Sequence, residues 1–351
     1  MGVLRWKVAA SNYLPTTLFS WLSRVYRILA LSFSKAPLFR STLTATAIRI
    51  PIGAVNSADE QRITAASDGE LSRWSAAFLA HKDQGAEPPI NLAWVHKPVG
   101  GNFGDWLSPY IMSKITGRRI KHVDLNDRRS QGHVLSLGSI ISGANRNSIV
   151  LGSGINSLKD DISPGASIRT VRGYITREAL SDPASQADVM CCDPGFFLPF
   201  LYKPSLVARS TEKLLIPHIN HVEQFQSIDA GEFRRVSARV CHPSDIERLI
   251  DRIANARVVV TSAMHIFVIS CAYSVPCALV KPKSSKVKVP GDGVKYRDCM
   301  SPVYRKDFSP QMIDIVPGFR LDCEVQPKQY SLDRVHIEDA YSFFSDAARA
   351  L

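Results

Sequence analysis

A chain of 351 residues with 45% hydrophobic and 21% charged residues has the balance of a folded globular protein, which excludes a disordered or membrane-embedded chain and predicts about two domains. The net charge of +11 is concentrated rather than spread: residues 1–57 hold seven Lys and Arg and no Asp or Glu. The excess therefore belongs to an arm, and no nucleic-acid partner is expected for the chain as a whole.

Within the arm, residues 14–33 have the length of a membrane span, but Arg24 and Arg27 stand near the middle, where charge is costly. Leu18, Trp21, Leu22, Val25, Ile28 and Leu29 recur at helical spacing and predict an amphipathic helix. Such a helix fits contact with an anionic membrane surface, docking on the protein's own core, or a targeting leader. The seven cysteines form no C-x-x-C pair and no zinc-type spacing with histidine. Reduced thiols, no metal and a cytoplasmic location, peripheral to the cytoplasmic membrane face if the arm binds lipid, are the expectation.

In chain order, helical spacing over 70–82 gives way to the Gly- and Pro-containing break 83–89. "INLAWVH" then predicts a strand, 106–116 a helix closed by Gly117, and "RRIKHVD" an edge strand. "HVLSLGSII" and "NSIVLGSGI" read as short strands. "IRTVRGYITREALS" turns from strand into helix, and "ADVMCCDPGFFLPFLY" ends the series. A second series opens at "KLLIPHIN" and runs through "FRRVSARV", the helix "PSDIERLIDRIANA", the strand "RVVVTSA", the helix "HIFVISCAYS" and the strand "PCALVKP". Strands alternating with helices predict an α/β fold of two Rossmann-like domains facing a cleft. The expected organisation is a basic extension over 1–60, an N-terminal domain over 61–207 and a C-terminal domain over 208–351.

Open parallel sheets bind ligands at the carboxyl ends of their strands, and the chemically capable residues sit at such positions. In "VGGNFGDWLSPY", Gly100, Gly101 and Gly104 allow positive φ and close approach to a ligand, and the following helix offers unpaired amides to an anion. Asn102 and Asp105 fit a ligand loop or equally a turn and a helix cap. Arg172 ends a strand, where a guanidinium can clamp a phosphate or carboxylate. Within "VVVTSAMHIF", Ser262 follows the strand and His265 opens a helix, whose dipole tends to lower the ring's pKa. His218 in "IPHIN" stands at another strand end. "GDGVKYRDCMSPVYRKD" reads as a loop in which Lys295, Arg297 and Arg305 either cover an anionic ligand or form a solvated face.

Taken in order, "NFGDWLSPYI", "LSLGSII", "VLGSGI", "VRGYITRE", "DPGFFLP", "IPHIN", "VTSAMHIFVISCAYSVP" and "VKYRD" resemble the polysaccharide pyruvyl transferase family. The resemblance implies a GT-B-like pair of Rossmann-like domains. It also implies transfer of the pyruvyl group of phosphoenolpyruvate, as a cyclic ketal, to a sugar of an exopolysaccharide or other cell-surface glycan, lipid-linked acceptors included, with no cofactor. On this view Gly101, Asn102 and Gly104 line the donor cleft, and Arg172 binds donor phosphate or carboxylate. His265 matches the histidine of a Ser-Arg-Leu-His-Gly motif that here reads Ser262-Ala263-Met264-His265-Ile266. Ala263 replaces the donor-binding arginine, so either Lys295, Arg297 or a neighbour supplies that charge or the donor site has changed. His265 is then the expected proton donor to the methylene or acid for the leaving phosphate, with Asp105 or His218 as base. A GT-B glycosyltransferase using a nucleotide sugar has the same expected architecture, and Ala263 also admits a non-catalytic homologue.

Overall fold

The computed structural model describes residues 87–96, 101–125, 132–181, 186, 188–205, 211–240, 242–283 and 291–351. The expected helices within 14–33 and 70–82, and Gly100, lie outside the described residues. Short apolar runs form strands β1 (Ile90–Ala93), β2 (Gly101–Asn102), β3 (Ile120–Val123), β4 (His133–Leu135), β5 (Ser148–Leu151), β6 (Ser167–Val171), β7 (Met190–Cys191), β8 (Lys213–Ile216), β9 (Phe233–Arg235), β10 (Arg239–Val240), β11 (Val258–Thr261), β12 (Cys277–Pro282) and β13 (Met312–Ile315). One sheet has the order β3-β1-β4-β5-β6-β7 and another β13-β12-β11-β8-β9. Every pairing within them is parallel. The fold is therefore α/β with two parallel sheets, and β3 occupies the edge that its sequence predicted.

Alternate residues of a strand leave on opposite faces. Leu92, Val134 and Leu151 enter a central apolar cluster, whereas Ala93, Leu135 and Val150 pack on the other side of the same sheet. In the second sheet Leu214, Ile216 and Val259 face the central cluster, and Leu215, Val260 and Val280 face away. Both faces of each sheet are thus covered, as parallel sheets require.

The helices that bear on the site are α1 (Phe103–Thr116), α2 (Tyr174–Glu178), α3 (Pro243–Asn255), α4 (Met264–Ala272), α5 (Val294–Met300) and α6 (Arg334–Arg349). All nine residues of α4 are buried, the position expected of a helix apolar all round. Helix α6 returns from the end of the chain to pack on α1 and on β5, β6 and β7. Its His336 donates from Nε2 to the Cys191 carbonyl at 2.7 Å. All described residues belong to one compact unit, Val55–Leu351. No described helix is long and apolar enough to cross a membrane.

Two local expectations need correction. Helix α1 begins at Phe103 rather than Trp106, because a distant strand fixes its start: β2 pairs antiparallel with β10, and the Phe103 amide donates to the Ala238 carbonyl at 2.8 Å. Gly104 and Asp105 consequently lie inside the first helical turn, and neither Gly101 nor Gly104 adopts a positive φ. The segment read as a loop around Lys295 and Arg297 is helical over Val294–Met300. Gly293, with φ 88°, supplies the left-handed turn that starts it.

Candidate functional site

A cavity of about 340 Å³ opens where strand ends of both sheets converge. Its walls are the residues after β1, β4 and β5 in the first sheet and after β8 and β11 in the second, together with the first turns of α1 and α4 and Lys295 of α5. This is the place where parallel sheets bind ligands. Two helix N-termini face it, and each brings amides without intrahelical acceptors and the positive end of a helix dipole.

On the α1 side, Asn102 holds the N-cap position. Its Nδ2 donates to Asp105 Oδ2 at 3.3 Å. Burial pushes the Asp105 carboxyl up to about 6, against the lowering effects of that hydrogen bond and of Lys295. Burial, then repulsion from Arg172, brings the Lys295 ammonium down to about 8, and Asp105 opposes that fall. A carboxylate and an ammonium thus share the cavity, each closer to neutrality than it is in water. Arg297 is exposed and does not line the cavity. Two residues along a helix rotate the side chain by about 200°, so α5 can present only one of the two cations inward.

On the α4 side, His265 lines the cavity with only 8% of its surface exposed. Burial first, then Arg172, Lys295 and His218, lowers its pKa to about 3, so the ring is neutral at pH 7. Gly104 is required here: a Cβ built on it would stand 2.1 Å from His265 Nδ1. The glycine serves close approach of α1 to a ring, a different use from the positive φ that its sequence suggested. His265 Nε2 lies 3.8 Å from Asp193 Oδ2, and neither atom has a hydrogen-bond partner among the described residues.

His218 also lines the cavity. Its Nδ1 accepts from the Asn220 amide at 3.1 Å, so the neutral ring carries its hydrogen on Nε2. Burial, with Lys295 and His221 adding to it, lowers this ring to about 3. Ser262 stands behind, accepting the His218 amide at 2.9 Å and meeting His221 Nδ1 at 3.0 Å. It brackets two histidines instead of lining the cavity. Tyr296 donates its hydroxyl to the Ser262 carbonyl at 3.0 Å, which ties α5, and with it Lys295, to the β11–α4 turn.

Arg172 is wholly buried and outside the cavity lining. Its Nε donates to Asp298 Oδ2 at 2.8 Å, Nη1 to Ser139 Oγ at 2.6 Å and Nη2 to the Ile155 carbonyl. Asp298 also accepts from the Thr176 amide at 2.9 Å and hydroxyl at 2.6 Å. Gly154 and Gly173 make room for this pair, since a Cβ at either would lie within 2.5 Å of Arg172 Cζ or the Asp298 carbonyl oxygen. The guanidinium that the sequence placed on the donor is thus committed to protein partners. It hydrogen-bonds the cavity wall through Ser139, and its charge acts on Lys295 and His265.

Of the residues singled out in the sequence, Asn102, Gly104, Asp105, His218, His265 and Lys295 converge on the cavity. Gly101, Arg172 and Ser262 support it from behind, and Arg297 lies elsewhere. The sequence reading gave no role to Asp193, although it opens the resembling segment "DPGFFLP", or to Asp298, which ends "VKYRD" and whose partner Arg172 stands 126 residues away.

The family model described as polysaccharide pyruvyl transferase matches residues 99–284. No curated protein matches the chain. Among solved structures, a functionally uncharacterised protein from Klebsiella pneumoniae is 12% identical with a TM-score of 0.36, covering 67% of this chain and 91% of its own. The Escherichia coli ADP-heptose lipopolysaccharide heptosyltransferase II is 12% identical with a TM-score of 0.23, covering 74% of this chain and 99% of its own.

Proposed function

Because the chain belongs to the polysaccharide pyruvyl transferase family, we propose that it moves the pyruvyl group of phosphoenolpyruvate onto two hydroxyls of a glycan sugar. The observation that carries this reading is the convergence of Lys295, Asp105, His265 and two helix N-termini on one cavity at the strand ends. A small trianionic donor needs fixed positive charge, a proton donor and a base, and this cavity offers all three. Two parallel sheets whose carboxyl ends share one cavity support a GT-B-like arrangement of two Rossmann-like halves.

The chemistry follows from the donor. Protonation of the methylene carbon of phosphoenolpyruvate leaves an oxocarbenium at the central carbon. A sugar hydroxyl attacks it as its proton passes to a base. Phosphate then leaves as hydrogen phosphate, taking up the proton that the base accepted from the first hydroxyl, and the second hydroxyl closes the ketal as its proton passes to the same base. Lys295 and the amides at the starts of α1 and α4 hold phosphate and carboxylate, taking the role left open by Ala263. His265 is the acid. Its ring is held neutral first by burial and then by Arg172 and Lys295, and the donor's charge opposes the effect of those cations. Asp105, held near 6, is ionised at pH 7 yet far more basic than a solvated carboxylate. His218, with its hydrogen on Nε2, serves as a hydrogen-bond donor, which leaves Asp105 as the base. Arg172 and Ser139 keep the wall between the β4 and β5 loops rigid. The basic segment 1–57 supports placing the reaction at an anionic membrane face, where lipid-linked acceptors are presented.

Incubation of the full chain with phosphoenolpyruvate and a panel of free and lipid-linked glycosides tests the proposal. Phosphate release together with a pyruvyl ketal on the acceptor is expected. Release of a nucleotide from a sugar nucleotide, with phosphoenolpyruvate untouched, would replace this reading with glycosyl transfer.

A further inference from the structure

Asp193 belongs to no role assigned above, yet it is among the most constrained carboxylates of the described fold. It follows β7, caps the short turn Pro194–Phe197, and has no solvent exposure. Oδ1 accepts the Gly195 amide at 2.8 Å. Among the described residues Oδ2 has no hydrogen-bond partner, and the equally unpartnered Nε2 of His265 lies 3.8 Å away. Two desolvated groups facing each other just beyond hydrogen-bond length fit a pair that closes when a proton is added.

We propose that Asp193 is a positioning residue for His265, fixing its ring as the Nε2–H tautomer and sharing the proton that the ring takes up when an anionic donor enters the cavity. The inference rests on the reading of His265 as the acid. Nε2 is sealed against Asp193 while the ring lines the cavity, so Nδ1 is the nitrogen left to exchange a proton with bound donor. Gly104 lets α1 approach that nitrogen without covering it by a side chain.

The charged and titratable groups around the pair are Arg172, Asp298, Lys295, His218, Cys192 and Cys299. In the free protein, burial together with Arg172 and Lys295 keeps the imidazole from charging, and burial holds the Asp193 carboxyl near 6. Donor binding offsets the field of Lys295. One proton from solvent then adds to Nδ1, and the imidazolium donates through Nε2–H to Asp193 Oδ2. Transfer of that Nδ1 proton to the donor's methylene carbon returns the pair to its starting charge.

The test has two arms. Histidine-labelled wild-type protein, free of donor, is expected to show His265 as the Nε2–H tautomer by nitrogen NMR, and an Nδ1–H tautomer overturns the proposal. This arm needs neither turnover nor a variant, so it decides the pair even if the enzymatic reading fails. In the second arm, Asp193→Asn is titrated with phosphoenolpyruvate at pH 7 in buffers of different ionisation enthalpy. The wild type is expected to take up about one proton per donor and the variant close to none, with kcat down about 100-fold or more and KM little changed. Proton uptake and kcat equal to wild type in the variant overturns the proposal.

Discussion

Replacing Arg172 with Met isolates the part of the site that is structural. The guanidinium and the Asp298 carboxylate are both 0% exposed and meet at 2.8 Å. Removing the cation leaves a buried carboxylate whose remaining donors are the Thr176 amide and hydroxyl. Breaking a buried pair from one side costs about 3–5 kcal/mol, whereas removing both charges is close to neutral. At roughly 2 °C per kcal/mol for a unit of this size, the Arg172→Met melting temperature should fall by about 6–10 °C. Adding Asp298→Asn should recover more than half of that loss, a coupling expected only of contacting groups. The assay is thermal unfolding of the four proteins of the cycle, with phosphoenolpyruvate binding measured on each folded variant. An unchanged melting temperature with donor affinity reduced tenfold or more would refute the reasoning, since it would mean that the guanidinium reaches the donor directly.

Three further outcomes are expected. Lys295→Met should weaken phosphoenolpyruvate binding by about 10- to 100-fold, the loss of one charge-assisted contact of about 1.5–3 kcal/mol, and wild-type affinity should decline above about pH 8 as the ammonium deprotonates; calorimetric titration from pH 7 to 9 checks both. Gly104→Ala forces a methyl into the space of the His265 ring and should cost about 1–3 kcal/mol of stability, with turnover lost more than donor affinity; urea unfolding and steady-state kinetics separate the two. Acidification should lower the urea midpoint between pH 7 and 4: His218, His221 and His265 have folded-state values of about 3, 4 and 3, below the ordinary 6.5, so the unfolded chain binds protons first as pH falls and their contribution, full above pH 6.5, is lost on the way down. Asp105 and Asp193, held near 6, act in the opposite sense between about 6 and 4, and three rings outweigh two carboxyls. A midpoint that rises on acidification would contradict this assignment.

What was legible in the sequence is what local pattern controls. Short apolar runs mark the parallel strands, and the strand-to-helix step at "VVVTSAMHIF" placed His265 at a helix start on the cavity wall. Gly117 closes α1 in the left-handed conformation that its position predicted. The features that escaped are set by contacts across long stretches of chain. The first turn of α1 depends on Ala238, over a hundred residues away, and on packing against His265. Arg172 stands at a strand end, as read, and its pairing with Asp298, 126 residues away, is what the local sequence does not show. Lys295 and Arg297 are equivalent as composition. Only the helical phase of α5 turns one inward and the other to solvent. Asp193 sits in a common Asp-Pro-Gly turn, and nothing local announces that its second oxygen faces a histidine.

The central claim is that the cavity at the strand ends is where the donor binds. A crystal structure of the protein with phosphoenolpyruvate and no acceptor tests it most directly. The account predicts the phosphate and carboxylate between Lys295 and the starts of α1 and α4, with the methylene carbon toward His265 Nδ1. Donor bound away from Lys295 and His265, or an empty cavity at a concentration that saturates binding in solution, would contradict it.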